Sequence, residues 1–249
     1  MLASIKRTGA IAQRVLQQLR HDHRFLALSL LMPMAIVYVL FIFFDSLSNP
    51  LFNATPYVLP FAAFEIHFIT FILTAIVLVR ERVSETLSRM LVNGYRQSEI
   101  ILGYLIAYTV LATLQSLIVL VEITWLFELD YAFGALASMY LVIWLLAVIS
   151  MALGILISNF AQTEGQVIPF IPLVLLPSIF LSGVVLPIDA LPTWVQRLSL
   201  LTPLYYANEL LGPLVRGDAL GHHLAALGAL PLYGLLVLII ARFTLSQNE

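Results

Sequence analysis

The sequence predicts an all-α integral membrane protein. We expect six transmembrane helices, an N-terminal amphipathic helix at the interface, a short cytoplasmic helix after the second span, and a re-entrant outer hairpin between spans five and six. Three observations predict this class. The 249 residues are 61% hydrophobic and 10% charged, with mean hydropathy +0.99; a soluble domain is about 45–50% apolar and about 25% charged. Apolar runs recur near the roughly 20 residues needed to cross the hydrocarbon. Lysine and arginine are confined largely to alternate connections, the asymmetry that sets membrane orientation. The net charge of −2 leaves no footprint for nucleic acid. With no cysteine there is no disulfide framework, thiolate metal site or thiol nucleophile.

The whole chain, 1–249, reads as one membrane domain without internal repeat or linker. Its first 24 residues form a leader. Ile5, Ala12, Val15, Leu16 and Leu19 make one side of a helix over 3–21, with Lys6, Arg7, Arg14 and Arg20 largely off it, and basic amphipathic helices of this kind lie in the headgroup plane. The first apolar run is too long for a signal-peptide core and no small-residue cleavage site follows it, so no cleavable signal is expected. Spans are expected at about 25–44, 57–79, 101–126, 135–158, 165–187 and 223–241. Pro169, Pro172, Pro177 and Pro187 interrupt the fifth. Lys6, Arg7, Arg14, Arg20, Arg24, Arg80, Arg82, Arg89, Arg96 and Arg242 all fall on one side if the spans number six, which makes both termini cytoplasmic. Arg197 and Arg216 fall in the long outer segment.

Two stretches stand apart. In Arg80–Gly103, Val83, Leu87, Met90 and Leu91 fall at i, i+4, i+7 and i+8, one face of a helix. Glu85 and Arg89 stand opposite in the favourable i, i+4 order, and Asn93-Gly94 supplies the stop. Such a stripe must be buried against lipid or a partner. In Leu181–Leu211, Ser182-Gly183 and Pro187 break helix, and Leu191, Trp194, Val195, Leu198 and Leu201 form a short amphipathic helix that Pro203 ends. A stretch too apolar for a free loop and too broken for a span survives at membrane depth only when packed on protein or lining a cavity.

The polar residues inside spans narrow the chemistry. Lys6 is the only lysine and follows no glycine-rich turn, so the sequence carries no P-loop and no ATPase of that type. Buried charges cost on the order of 2.5–3.5 kcal/mol at a helix centre and mark function by default. Glu65 and His67 are two residues apart, about 200° around a helix, so they do not face each other as a catalytic pair. His67, Thr70 and Thr74 share a face, which either lines a path or bonds helices together. Gln115 and Glu122 share another. Ser150, Gly154 and Ser158 form one ridge of small residues, and Gly221, Ala225 and Ala229 a second; both suit close packing within or between subunits. His222 and His223 make a poor metal site without further ligands. Asn53-Ala54-Thr55 is a glycosylation sequon on the outer side. No catalytic, cofactor-binding or metal-ligating residue is expected in this chain.

The two stretches together resemble the permease subunits of type-2 ABC exporters. Glu81, Arg82, Thr86, Leu87 and Leu91, then Glu99, Ile100 and Gly103, match a first motif of the form E-R-E-x-G-T-L-E-x-L-L followed by E-I-x-x-G. Val83 stands where that motif has glutamate, Glu85 where it has glycine, and Gly94 where proline is common. Ser182, Gly183, Pro187, Leu191, Pro192, Trp194, Pro203, Leu204 and Tyr206 match a second. The resemblance implies a coupling helix (Glu81, Arg82, Val83, Glu85, Thr86, Leu87, Met90, Leu91) docked on a separate ATP-binding subunit, which would hold the ATP and magnesium. It implies a homodimer or a pair with a sister permease, and a bacterial or archaeal inner-membrane location. It places Glu65, His67, Thr70 and Thr74 along a path for an amphipathic cargo such as a drug or lipid. It makes Ser182, Gly183, Pro187, Pro192, Trp194, Pro203 and Tyr206 an outer gate. Two other classes stay open at this point. An ion-coupled secondary transporter would rely on Glu65, and a membrane enzyme or assembly factor would bring His67 and Glu65 to groups on other helices.

Overall fold

A computed structural model describes residues 2–46 and 55–247; the sequon begins outside the described residues. In chain order the helices are α1 (Leu2–His21), α2 (His23–Ser46), α3 (Thr55–Val83), α4 (Thr86–Val92), α5 (Gln97–Leu126) and α6 (Phe133–Ser158). Then come α7 (Glu164–Val167), α8 (Phe170–Phe180), α9 (Thr193–Ser199), α10 (Pro203–Val215) and α11 (Leu224–Gln247). Single 3₁₀ turns at Ile188–Ala190 and Leu220–His223 precede α9 and α11. No strand occurs among the described residues.

Five of these helices are long and apolar enough to cross a membrane: α2, α3, α5, α6 and the segment Leu220–Thr244. They contain the expected spans one to four and six. The fifth expected span, 165–187, departs from expectation. It is not one helix but α7, a break at Ile168-Pro169, and α8, ending at Phe180. Ile168 and Pro169 keep helical dihedrals, but proline has no N–H to continue the ladder, so the hydrogen bonding is interrupted at Pro169. Beyond Phe180 the chain turns at Gly183, whose φ of 83° suits a residue without Cβ.

Helices α3 and α6 form the axis of the bundle. Gly154 is where they meet: a Cβ there would stand 2.7 Å from the Phe71 carbonyl oxygen and 2.9 Å from Thr74 Cβ. Ser150 and Ser158 on the same ridge are buried, so the first small-residue ridge is the α3–α6 seam. The second ridge is not a seam within the chain, because Gly221 has open space beside it. Instead Gly234 brings α11 onto α6, against Ile149. The leader does more than lie at a surface. Ile11, Ala12, Val15 and Leu19 are buried, and a Cβ on Gly103 would stand 2.6 Å from Ile11, so α1 packs along the first half of α5. Ile5, expected on the apolar side, is exposed. Large apolar side chains on α2 (Leu28, Leu31, Val39, Phe43) and α11 (Leu232, Leu235, Phe243) face outward, as lipid-facing helices require.

Candidate functional site

The stretch expected as one amphipathic helix is two helices and a hinge. Helix α3 continues through the arginines to Val83, and Ser84-Glu85 forms a turn. Glu85 takes a left-handed conformation, φ 58° and ψ 12°, and α4 starts behind it. Asn93 and Gly94 (φ 81°) close α4, and Arg96 caps α5. In that cap the Arg96 N–H donates to the Glu99 carboxylate at 2.9 Å. Val83 therefore does not extend the α4 stripe; it is exposed at the end of α3. Met90 is buried, while Leu87 and Leu91 are half-buried.

Glu81 and Arg82 are occupied inside the chain. Glu81 is 5% exposed. It receives Arg14 Nη2 at 3.3 Å and Gln18 Nε2 at 3.2 Å, both from α1. Arg14 also donates to the Tyr104 hydroxyl of α5 and stands over that ring. Arg82 turns the other way. It donates to the carbonyls of Ser158 and Ala161 and to Asn159 Oδ1, satisfying acceptors that the end of α6 leaves open. Arg80 forms a two-point ion pair with Glu164 of α7, at 3.0 and 3.1 Å. Arg7 reaches the Gly94 carbonyl at 2.7 Å and lies 3.8 Å from Glu99. The C-terminal end of α3 is thus fastened on both sides, to α1 and to the α6–α7 corner.

The exposed residues of the excursion include Val83, Glu85, Ser88, Arg89 and Val92; Val92 is 89% exposed. Behind α4 lies a cavity of about 560 Å³ bounded by Leu78, Leu87, Leu91, Ile101, Ile155 and Phe160, with Arg82 at its wall. Arg14, Asn159 and Val92 were not singled out from the sequence. The i, i+4 pair Arg14 and Gln18 was the available signal for the first. Asn159, which also donates to the Ala241 carbonyl at 2.8 Å, carries no local signature.

The expected path residues lie in the packed interior. His67 is fully buried between three helices, with Nδ1 2.7 Å from Ser150 Oγ of α6 and Nε2 3.1 Å from Ser178 Oγ of α8. Thr70 and Thr74 donate back to carbonyls of their own helix, Ile66 at 2.6 Å and Thr70 at 2.8 Å. Gln115 ties α5 to α2 through the Ser29 carbonyl at 2.7 Å. Glu65 differs from all of these: it is 5% exposed, and its Oε1 has no hydrogen-bond partner.

At the opposite end of the bundle, Leu181–Leu211 folds back on itself. Asn208 of α10 donates to the Ser182 carbonyl at 2.9 Å, and a Cβ on Gly183 would come within 3.1 Å of Asn208. Pro192 caps α9, and Pro203 opens α10 rather than only ending the helix before it. Proline suits a first helical position, since its missing N–H would have no partner there. Tyr206 donates to the Leu200 carbonyl at 3.0 Å and Tyr233 to that of Leu201 at 2.7 Å, fixing the corner between α9 and α10. Trp194 is 67% exposed, with Leu198 and Leu201 also outward. Pro187 lies outside regular structure before the 3₁₀ turn.

This arrangement coincides with a known family. The ABC-2 type transporter profile matches residues 6–212, from the leader through the hairpin. The chain belongs to the ABC-2 type transporter family. The resemblance read from the two motifs is thereby borne out. Among its relatives, the chain is similar to the probable multidrug ABC transporter permease YbhR of Escherichia coli K12, 29% identical over 148 residues, 59% of this chain and 40% of that protein. It is similar to ABC transporter G family member 20 of Dictyostelium discoideum, 26% identical over 178 residues, 71% of this chain and 24% of that protein. It is also similar to the linearmycin resistance permease protein LnrN of Bacillus subtilis, 26% identical over 132 residues, 53% of this chain and 34% of that protein. The chain spans less than half the length of each.

Proposed function

We propose that this chain is the membrane-spanning subunit of an ATP-driven exporter. The observation that carries the proposal is the excursion between α3 and α5. A short helix, set off by a left-handed hinge, presents an exposed strip while the helices around it are fastened to one another. That strip (Val83, Glu85, Ser88, Arg89, Val92) docks on a separate ATP-binding subunit that holds ATP and magnesium. Glu81 and Arg82 then act from behind, carrying motion to α1 and α6, rather than touching the partner. Helices α7 and α8 make the sixth crossing, both termini lie in the cytoplasm, and the protein sits in a bacterial or archaeal inner membrane. The hairpin 181–211 caps the outer end as a re-entrant gate. Two copies, or this chain and a sister permease, enclose the path. The cargo is amphipathic, a drug or a lipid; the names of two relatives, a multidrug permease and a linearmycin resistance permease, are in keeping with the first.

The test is purification of the chain from its native membranes in mild detergent, with mass spectrometry of whatever accompanies it. A P-loop ATPase in near-equal amount is the expected result. An intact permease with no ATPase, in preparations where the Arg89→Glu and Val92→Asp variants behave no differently, would overturn it.

A further inference from the structure

Two carboxylates stand out because nothing in the fold satisfies them. Glu65 of α3 is 5% exposed with an unpartnered Oε1, and Glu122 of α5 has a buried, unpartnered Oε2. The helices that carry them, α3 and α5, pack against each other. Every other intramembrane polar group treated above, His67, Thr70, Thr74 and Gln115, has a partner. A buried acceptor without a donor is costly, and more so when the group carries charge.

The adjoining turns of chain carry aromatic residues. Phe61 sits one turn from Glu65 on α3, about 6 Å along the axis. Phe127 directly follows α5, just over a turn from Glu122. Both rings meet on Phe44 of α2, with centroids 6.4 Å and 6.2 Å away. Phe41 stands edge-on to Phe127 at 5.4 Å. Three helices thus bring four phenyl rings together at the end of the bundle nearest the two acids.

We propose that Glu65 and Glu122, beneath Phe41, Phe44, Phe61 and Phe127, form a site for an organic ammonium ion, the protonated amine of an amphipathic molecule. An alkali ion would want about six oxygen ligands, and the structure offers two carboxylates and rings. A primary ammonium has three N–H donors, enough for both orphan oxygens, and its apolar substituent and charge both suit aromatic faces. The proposal rests on the exporter reading only for the direction in which such a molecule would move; binding itself needs no ATPase.

The experiment uses the full-length chain in lipid nanodiscs with 4-fluorophenethylamine, followed by ¹⁹F NMR. We expect saturable binding at neutral pH that is about tenfold to a hundredfold weaker in Glu65→Gln and in Glu122→Gln, the loss of one charge-assisted hydrogen bond. Glu128→Gln, an exposed acid two residues beyond the end of α5, should bind as the native chain does. The neutral alcohol analogue should show only partitioning into lipid. Should either glutamine variant lose its fold, Glu65→Asp and Glu122→Asp replace it and should weaken binding with the charge kept. Equal binding of amine and alcohol, indifference to both acids, or displacement of the amine by sodium at matched concentration would overturn the proposal. Saturable amine binding in a chain that never co-purifies with an ATPase would sustain the site while removing the exporter reading.

Discussion

At the scale of single residues, Glu85 is the informative case. Its φ of 58° is where an L-residue costs roughly 1–2 kcal/mol and glycine costs almost nothing. The motif this chain resembles has glycine at that place. Its ion pair with Arg89, 3.9 Å long and with both side chains about three-quarters exposed, offsets little of the strain. Glycine returns about 0.4–1 kcal/mol as extra freedom of the unfolded chain. Glu85→Gly should therefore raise stability by a net amount of about 1 kcal/mol or slightly less. Thermal unfolding in detergent measures this, and a fall in the midpoint would show that the hinge is not strained. Sequence alone flagged the departure from glycine but not its meaning, because a conformation with positive φ leaves no periodic trace.

At the scale of elements, the fastening of α1 to α3 is the least local feature of the fold. Arg14 and Glu81 are 67 residues apart, yet they close a network with Gln18 and Tyr104. Removing either partner leaves the other buried or half-buried without its counter-charge. Arg14→Leu and Glu81→Gln should each cost about 1–3 kcal/mol, and the double variant should cost less than the sum by about 0.5–3 kcal/mol. Additive losses in a double-mutant cycle of unfolding free energies would show the two groups to be independent. The elements themselves were legible in the sequence wherever a pattern was long: α2, α3, α5 and α6 follow from apolar runs, and α1 from its stripe. What the pattern concealed was which way the polar side chains turn. Arg14 lay off the apolar stripe on paper, and Glu81 and Arg82 belonged to a motif pointing at a partner. In the fold all three face neighbouring helices, since a charge at the end of a span is satisfied most cheaply by the nearest opposite group. The prolines of the fifth expected span were legible too, but the length of the helix they leave was not: the apolar helical stretch there ends at Phe180, seven residues short of the expected bound.

At the scale of the whole molecule, the bundle has a closely packed axis and an apolar, outward-facing periphery. Along α3 and α6 a glycine lets two backbones touch, so Gly154→Ala should overpack the seam and cost about 1–3 kcal/mol. Gly221→Ala, with open space around it, should be close to neutral. Equal midpoints for the two variants would show that the axis is not where the structure puts it. For the residues expected along a path and at a gate, sequence did not reveal their company, because contacts such as Asn208 to Ser182 are made between elements that share no motif spacing. The axis also sets the order in which the protein can be completed. His67 finds its two partners 83 and 111 residues further along the chain. A nascent chain that has threaded α3 into the bilayer holds an unpaired imidazole there until Ser150 and then Ser178 have been synthesised. Helix α3 is thus finished only when α8 arrives, and the time between the two is set by the ribosome.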